Sequence, residues 1–144
     1  QEPSWPLKFV PLAVNVIQHP LPTAARCFKL GRAIRNAVET YNDDFTVAIF
    51  GTGGMSHQLS GERFGYLNSE FDEWFLDQIE GDPSALISMT HQELMERAGV
   101  EAVELIMWLV MRGAMTDQVE RIHRNYYVPM TTGMGLITLE NVVP

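Results

Sequence analysis

At 144 residues, with 46% apolar and 19% charged side chains, the chain has the size and hydrophobicity of one globular unit, and a disordered segment is excluded. Its 10 Lys and Arg against 18 Asp and Glu leave a net charge of −8 without a basic stripe, so nucleic acid and anionic membrane surfaces are not expected partners. The longest apolar run, LIMWLVM from Leu105, falls far short of the roughly 20 residues that cross a bilayer. A lone cysteine, Cys27, and the lack of a charged-then-apolar leader point to a reducing cytoplasm, while an opening at Gln1 rather than methionine leaves processing or an incomplete chain as an expectation.

Residues 9–17, FVPLAVNVI, are apolar and β-branched and run into the breaker-rich His19, Pro20, Leu21 and Pro22, which predicts a strand and a turn. Thr23 is a candidate N-cap for an amphipathic helix carrying Ala25, Phe28, Leu30, Ile34, Val38 and Tyr41, ended by Asn42, Asp43 and Asp44. Residues 45–50, FTVAIF, are too short for a helix and are bounded by Asp44 and Gly51, which predicts a second strand. Strand, helix, strand is the order of a crossover unit with parallel strands, so the expected fold class is α/β: a strand-helix-strand core of a mixed sheet with covering helices.

The middle of the chain reads as helical. Asn68 can cap a helix whose Phe71, Trp74, Phe75 and Ile79 share a face, and Asp82 with Pro83 is a helix start, because proline at the first helical position loses no hydrogen bond. Thr90 and Glu93 have capping-box spacing, opening a helix that stops near Gly99. A further helix is expected from about Val100 to Arg112, halting at Gly113. Residues 125–130 and 135–139 are extended candidates, separated by Thr131, Thr132 and Gly133. No repeat or low-complexity linker divides the sequence, and residues 1–144 are expected to form a single α/β unit.

Two residues stand out chemically. The strand at 45–50 runs into GTGGMSH, residues 51–57, which delivers His57 to the carboxyl end of a strand, where α/β sheets collect ligands and glycines allow backbone amides a close approach. The stretch lacks the endings of a P-loop or a dinucleotide fingerprint. A tight turn bearing a surface histidine is the alternative. Glu104 is the sole charge between Ala102 and Met111, so its helix is apolar almost all round and should be buried. A carboxylate there costs several kcal/mol unless it is paired, hydrogen-bonded or bound to a metal. Glu104 is therefore either a metal ligand or part of a narrow solvent-facing line with Glu101. His19 reads as a turn residue, His91 as a solvated cap neighbour, His123 as an edge or pocket residue and Cys27 as a small core side chain. HExxH, paired CxxC and GxSxG are missing, which excludes the common metalloprotease, zinc-ribbon and α/β-hydrolase readings.

GTGGMSHQLSGERFGYLN (51–68), AGVEAVELIMWLVMRGAM (98–115) and HRNYYVP (123–129) occur in this order. In these motifs the chain resembles the C-terminal portion of the class III extradiol ring-cleaving dioxygenases, the catalytic subunits of protocatechuate 4,5-dioxygenase and gallate dioxygenase. The resemblance also takes in the opening strand, PLP and the Arg-Cys helix. It implies a larger class III fold and a ferrous ion held by two histidines and one glutamate, with positions left for a catecholic substrate and O₂. It matches Glu104 to the metal glutamate and His57 to the active-site histidine beside the substrate. The family's two metal histidines lie in an N-terminal half without counterpart here, and His19, His91 and His123 do not match them. Where the family has a serine-asparagine-threonine stretch that helps hold the substrate carboxylate, this sequence has Met130, Thr131, Thr132 and Gly133. Thr131 and Thr132 are thus the substrate-binding candidates, although threonine also favours extended backbone without any binding role.

The expected function is Fe(II)-dependent extradiol cleavage of a dihydroxy- or trihydroxybenzoate with O₂, His57 serving as acid/base and Glu104 as metal ligand. The chain alone would then be inactive for want of two histidines, and the expected partners are the remainder of the catalytic subunit or a small subunit in a hetero-oligomer. The alternative is an assembly or binding subunit that keeps the fold without catalysis.

Overall fold

The computed structural model describes residues 7–142. The elements in chain order are α1 (Ala24–Glu39), α2 (Ser69–Glu80), α3 (Ser84–Ser88), α4 (His91–Ala98), a 3₁₀ turn (Glu101–Leu105), α5 (Ile106–Gly113), β1 (Val119–Tyr127) and β2 (Met134–Asn141). Gln1 lies outside the described residues.

The helix starts follow from their caps. Thr23 accepts a hydrogen bond from Arg26 N at 3.2 Å at the head of α1, and Asn68 accepts from Phe71 N at 3.0 Å at the head of α2. Asp82 takes both the backbone N–H and the hydroxyl of Ser84 as α3 begins, and Thr90 with Glu93 forms a complete capping box on α4. Gly99 ends α4 in a positive-φ conformation, φ 98°.

Packing gathers these helices round α5. Leu105, Ile106, Trp108, Leu109 and Val110 are all buried, as expected for a segment that is apolar nearly all round. Phe71, Phe75, Leu76 and Ile79 of α2, with Leu86 of α3 and Leu94 of α4, complete the core. Cys27 of α1 is part of it, and burial pushes its thiol pKa up. His91 is not merely solvated: its Nε2 lies 2.9 Å from the Pro22 carbonyl oxygen and fastens α4 to the segment before α1.

The expected single helix from Val100 to Arg112 is two elements, because the turn carrying Glu104 is wound as 3₁₀ before α5 begins. The expected strand-helix-strand core is not seen among the described residues. Residues 9–17 and 45–50 form no ladder among the described residues, where no strand lies alongside to pair with them. The sheet among these residues is instead β1 paired antiparallel with β2, with an irregularity in register between Arg121 and His123. The fold remains mixed α/β.

Each of these two segments, residues 9–17 and 45–50, is covered only in part. Val14, Val16 and Ile49 pack against the core, while Val10 is 93% and Phe50 82% exposed. A groove of about 640 Å³ lies between residues 46–51, α5 and β2, with Trp108 and Met111 among its walls. No helix among the described residues is long and apolar enough to cross a membrane.

Candidate functional site

The glycine run after residue 50 lies directly on the 3₁₀ turn and the start of α5. A Cβ on Gly51 would come 2.8 Å from Trp108 Cα, and one on Gly53, whose φ is +126°, would come 2.9 Å from the Glu104 carbonyl oxygen. Only glycine gives both the conformation and the clearance there. Trp108 Nε1 donates to the Gly53 carbonyl at 3.1 Å, and Gly54 N donates to Glu104 Oε1 at 3.0 Å, so the carboxylate is fixed by the loop it faces.

His57 enters the same corner from the end of that loop. Its backbone N–H donates to Ala98 O at 2.8 Å, and its peptide forms an isolated antiparallel bridge with Thr132. Nδ1 lies 2.7 Å from the Met55 carbonyl oxygen. That oxygen can only accept, so Nδ1 carries the proton of this hydrogen bond, and Nε2 is the nitrogen turned towards Glu104. Nε2 stands 3.3 Å from Glu104 Oε1, with the histidine side chain 7% and the glutamate side chain 29% exposed. The surface-histidine alternative is thereby excluded. Glu104 is half-buried with an open side, and its Oε2 makes no hydrogen bond among the described residues.

The two threonines separate. A Cβ on Gly54 would meet Thr132 Cγ2 and His57 Cε1, each at 3.1 Å, and Glu104 Oε1 at 3.3 Å, so these three side chains converge on one glycine. Thr131 instead turns its methyl towards Gly65. His19, His91 and His123 do not join the site. No group of three or more His, Cys, Asp or Glu side chains placed to hold a metal occurs among the described residues; what they do supply is a carboxylate with one unused oxygen, able to offer one ligand to a metal, beside an imidazole.

Sequence reading missed the support beneath the loop. Ser56 donates through N to Asp72 Oδ1 and through Oγ to Asp72 Oδ2, at 2.8 and 2.6 Å. Tyr126 OH donates to the same Oδ2 at 2.8 Å. Burial pushes the Asp72 pKa up, opposed by these hydrogen bonds, and burial also pushes the Tyr126 phenol up to about 12. The signal was available as an acidic residue next to Phe71 and four positions before Leu76 on a helix face that is otherwise apolar.

Residues 3–137 match the family described as the catalytic LigB subunit of aromatic ring-opening dioxygenase. The chain is similar to a gallate dioxygenase of Pseudomonas putida (strain KT2440), with 51% identity over 138 residues, covering 96% of this chain and 41% of that protein. It is also similar to a 2,3-dihydroxyphenylpropionate/2,3-dihydroxicinnamic acid 1,2-dioxygenase of Photorhabdus laumondii, with 33% identity over 64 residues, covering 44% of this chain and 20% of that protein. The chain thus spans less than half the length of either of these curated relatives.

Proposed function

The chain belongs to the family of catalytic LigB subunits of aromatic ring-opening dioxygenases, and from that premise we propose that it forms part of an Fe(II)-dependent extradiol enzyme that opens a dihydroxy- or trihydroxybenzoate with O₂. The observation that carries this reading is the pairing of His57 Nε2 with Glu104 Oε1 at 3.3 Å, at the end of a glycine run built to lie against the glutamate's own turn.

Within this reading Glu104 would hold the metal, its Oε1 keeping the carboxylate oriented by accepting from Gly54 N and its Oε2 left open. The remaining ligands come from outside the described residues. Fe(II), when bound, supplies Lewis acidity and brings the catecholic oxygens and O₂ to one centre, removing most of the entropic cost of their meeting. His57 takes the proton of a substrate hydroxyl at Nε2 and later returns it, as a general base and acid within hydrogen-bond reach of the substrate does. Thr131 and Thr132 offer hydroxyl donors to the substrate carboxylate, which an acidic protein otherwise repels.

Partnership with further polypeptide is supported by the surface. Residues 10–17 and 45–50 present exposed apolar side chains, among them Val10, Ile17 and Phe50, of the kind a neighbour covers. The remainder of a catalytic subunit, or a small subunit in a hetero-oligomer, would supply that cover. A cytoplasmic setting agrees with the unpaired Cys27.

The test is made in the complete enzyme. Glu104→Gln should abolish iron retention, whereas His57→Phe should keep the iron and lose turnover. Equal loss of metal in both variants would place His57 among the ligands and remove its acid/base role. Full turnover of a hydroxylated benzoate by both variants would overturn the reading altogether.

A further inference from the structure

Asp72 is completely buried, yet it lies outside the His57–Glu104 pair. Its helical neighbours on the core side, Phe71, Phe75 and Leu76, are apolar, and an apolar residue would serve packing at least as well. What Asp72 does instead is hold Ser56 twice, at the backbone N–H and at the hydroxyl. Ser56 Oγ in turn accepts the N–H of Asn68, the residue that caps α2, at 2.8 Å. Tyr126 brings β1 to the same carboxylate.

The backbone geometry shows what this clamp controls. Met55 N donates to Gly133 O, and Gly133 N donates to Ser56 O, both at 2.9 Å, so Met55 and Ser56 are gripped on one side by Gly133 and on the other by Asp72. Gly133 has to be glycine here, because a Cβ would overlap Asp72 Oδ2. The Met55 carbonyl so fixed is the group that meets His57 Nδ1.

We propose that Asp72 is a positioning residue for His57. By clamping Ser56 it sets the orientation of the Met55 carbonyl, which holds the proton on Nδ1 and leaves Nε2 facing Glu104. The inference rests on the reading of His57 as the acid/base, and it adds the chain of contacts from Asp72 through Ser56 and Met55 to the imidazole.

The experiment uses Asp72→Asn in the complete enzyme, with Ser56→Ala as the milder variant that removes one arm of the clamp. Asp72→Asn should lower kcat roughly 10- to 100-fold, the usual range for a supporting hydrogen-bond partner, while KM and iron content hold. Nitrogen-15 spectra of the metal-free protein should show the His57 ring leaving the single Nδ1–H tautomer for a mixture. Ser56→Ala should move both readouts in the same direction by less, and keeps the test decisive if Asp72→Asn does not fold. Unchanged tautomer and kcat in the folded variants overturn the proposal, as does loss of iron in step with turnover. Full turnover by His57→Phe would instead sink the acid/base reading, while the tautomer measurement would still decide whether Asp72 orients the ring.

Discussion

Gly31 sits so close to Val110 that a Cβ on the glycine would overlap the Val110 carbonyl oxygen. The same helix crossing has a second such point, where a Cβ on Gly113 would overlap the carbonyl oxygen of Phe28. With a glycine from each helix at the crossing, α1 and α5 approach backbone to backbone, and α5 directly follows the turn that carries Glu104.

Gly31→Ala should therefore destabilise the protein. At an unconstrained helical site the same change stabilises by up to about 1 kcal/mol, because glycine is the poorer helix former. Here the methyl has to separate two backbones, and an overpacking cost of about 1–3 kcal/mol reverses the sign. A fall in the urea midpoint without a change of slope would confirm this, and a rise would show that the crossing is looser than described.

Much of this fold was legible because its signals are local. Thr23, Asn68 and the Thr90–Glu93 box each act within one helical turn, so the starts of α1, α2 and α4 could be read from spacing alone. The strands expected at residues 9–17 and 45–50 are not formed among the described residues, for the opposite reason. Their composition carries strand propensity, but a strand needs a partner, and the sequence does not say which residues supply one. At the site, His57 and Glu104 were separately conspicuous, and the structure supplies their adjacency. The 3₁₀ winding at Glu104 and the Asp72 clamp depend on contacts between residues far apart in sequence, which no local pattern encodes.

Arg112 is a second long-range feature. It is 2% exposed, and its guanidinium donates to the carbonyl oxygens of Ile79, Gly81, Thr116 and Asp117. Arg112→Met fills similar volume but leaves these carbonyls without their donor, at an expected cost of about 3 kcal/mol or more. Arg112→Lys should rescue little, since one ammonium cannot reproduce a planar fork that reaches four acceptors. Thermal unfolding of both variants checks this, and a lysine variant with wild-type stability would refute it.

Tyr126 gives a pH prediction. With its folded pKa pushed up to about 12 from an ordinary 10, the folded protein keeps a proton that the unfolded chain has begun to lose. The stability contributed by this phenol is fully present below about pH 10 and falls away as pH rises towards 12. Tyr126→Phe should be less stable than wild type at neutral pH, and the gap should narrow across that window. A gap that stays constant between pH 9 and 12 would mean that the phenol does not titrate late.

The threonines can now be ranked, which the sequence alone did not allow. Thr132 bridges to His57 in the backbone, and its side chain shares the surroundings of Gly54 with the imidazole and Glu104, whereas Thr131 lies towards Gly65. If a substrate carboxylate is held here, Thr132, whose methyl meets Gly54, is the threonine nearer the chemistry and its hydroxyl the donor to test. Its loss leaves a desolvated carboxylate one hydrogen bond short, at about 1–3 kcal/mol, or roughly 5- to 150-fold in affinity. Valine is the right replacement, because it keeps the branched shape and the extended preference while removing the hydroxyl. In the complete enzyme, Thr132→Val should raise KM for a hydroxylated benzoate selectively over the matching catechol without a carboxylate, and Thr131→Val should change that ratio less. An equal rise for both substrates would assign Thr132 to the general shape of the site, and an unchanged ratio in both variants would remove the two threonines from carboxylate binding.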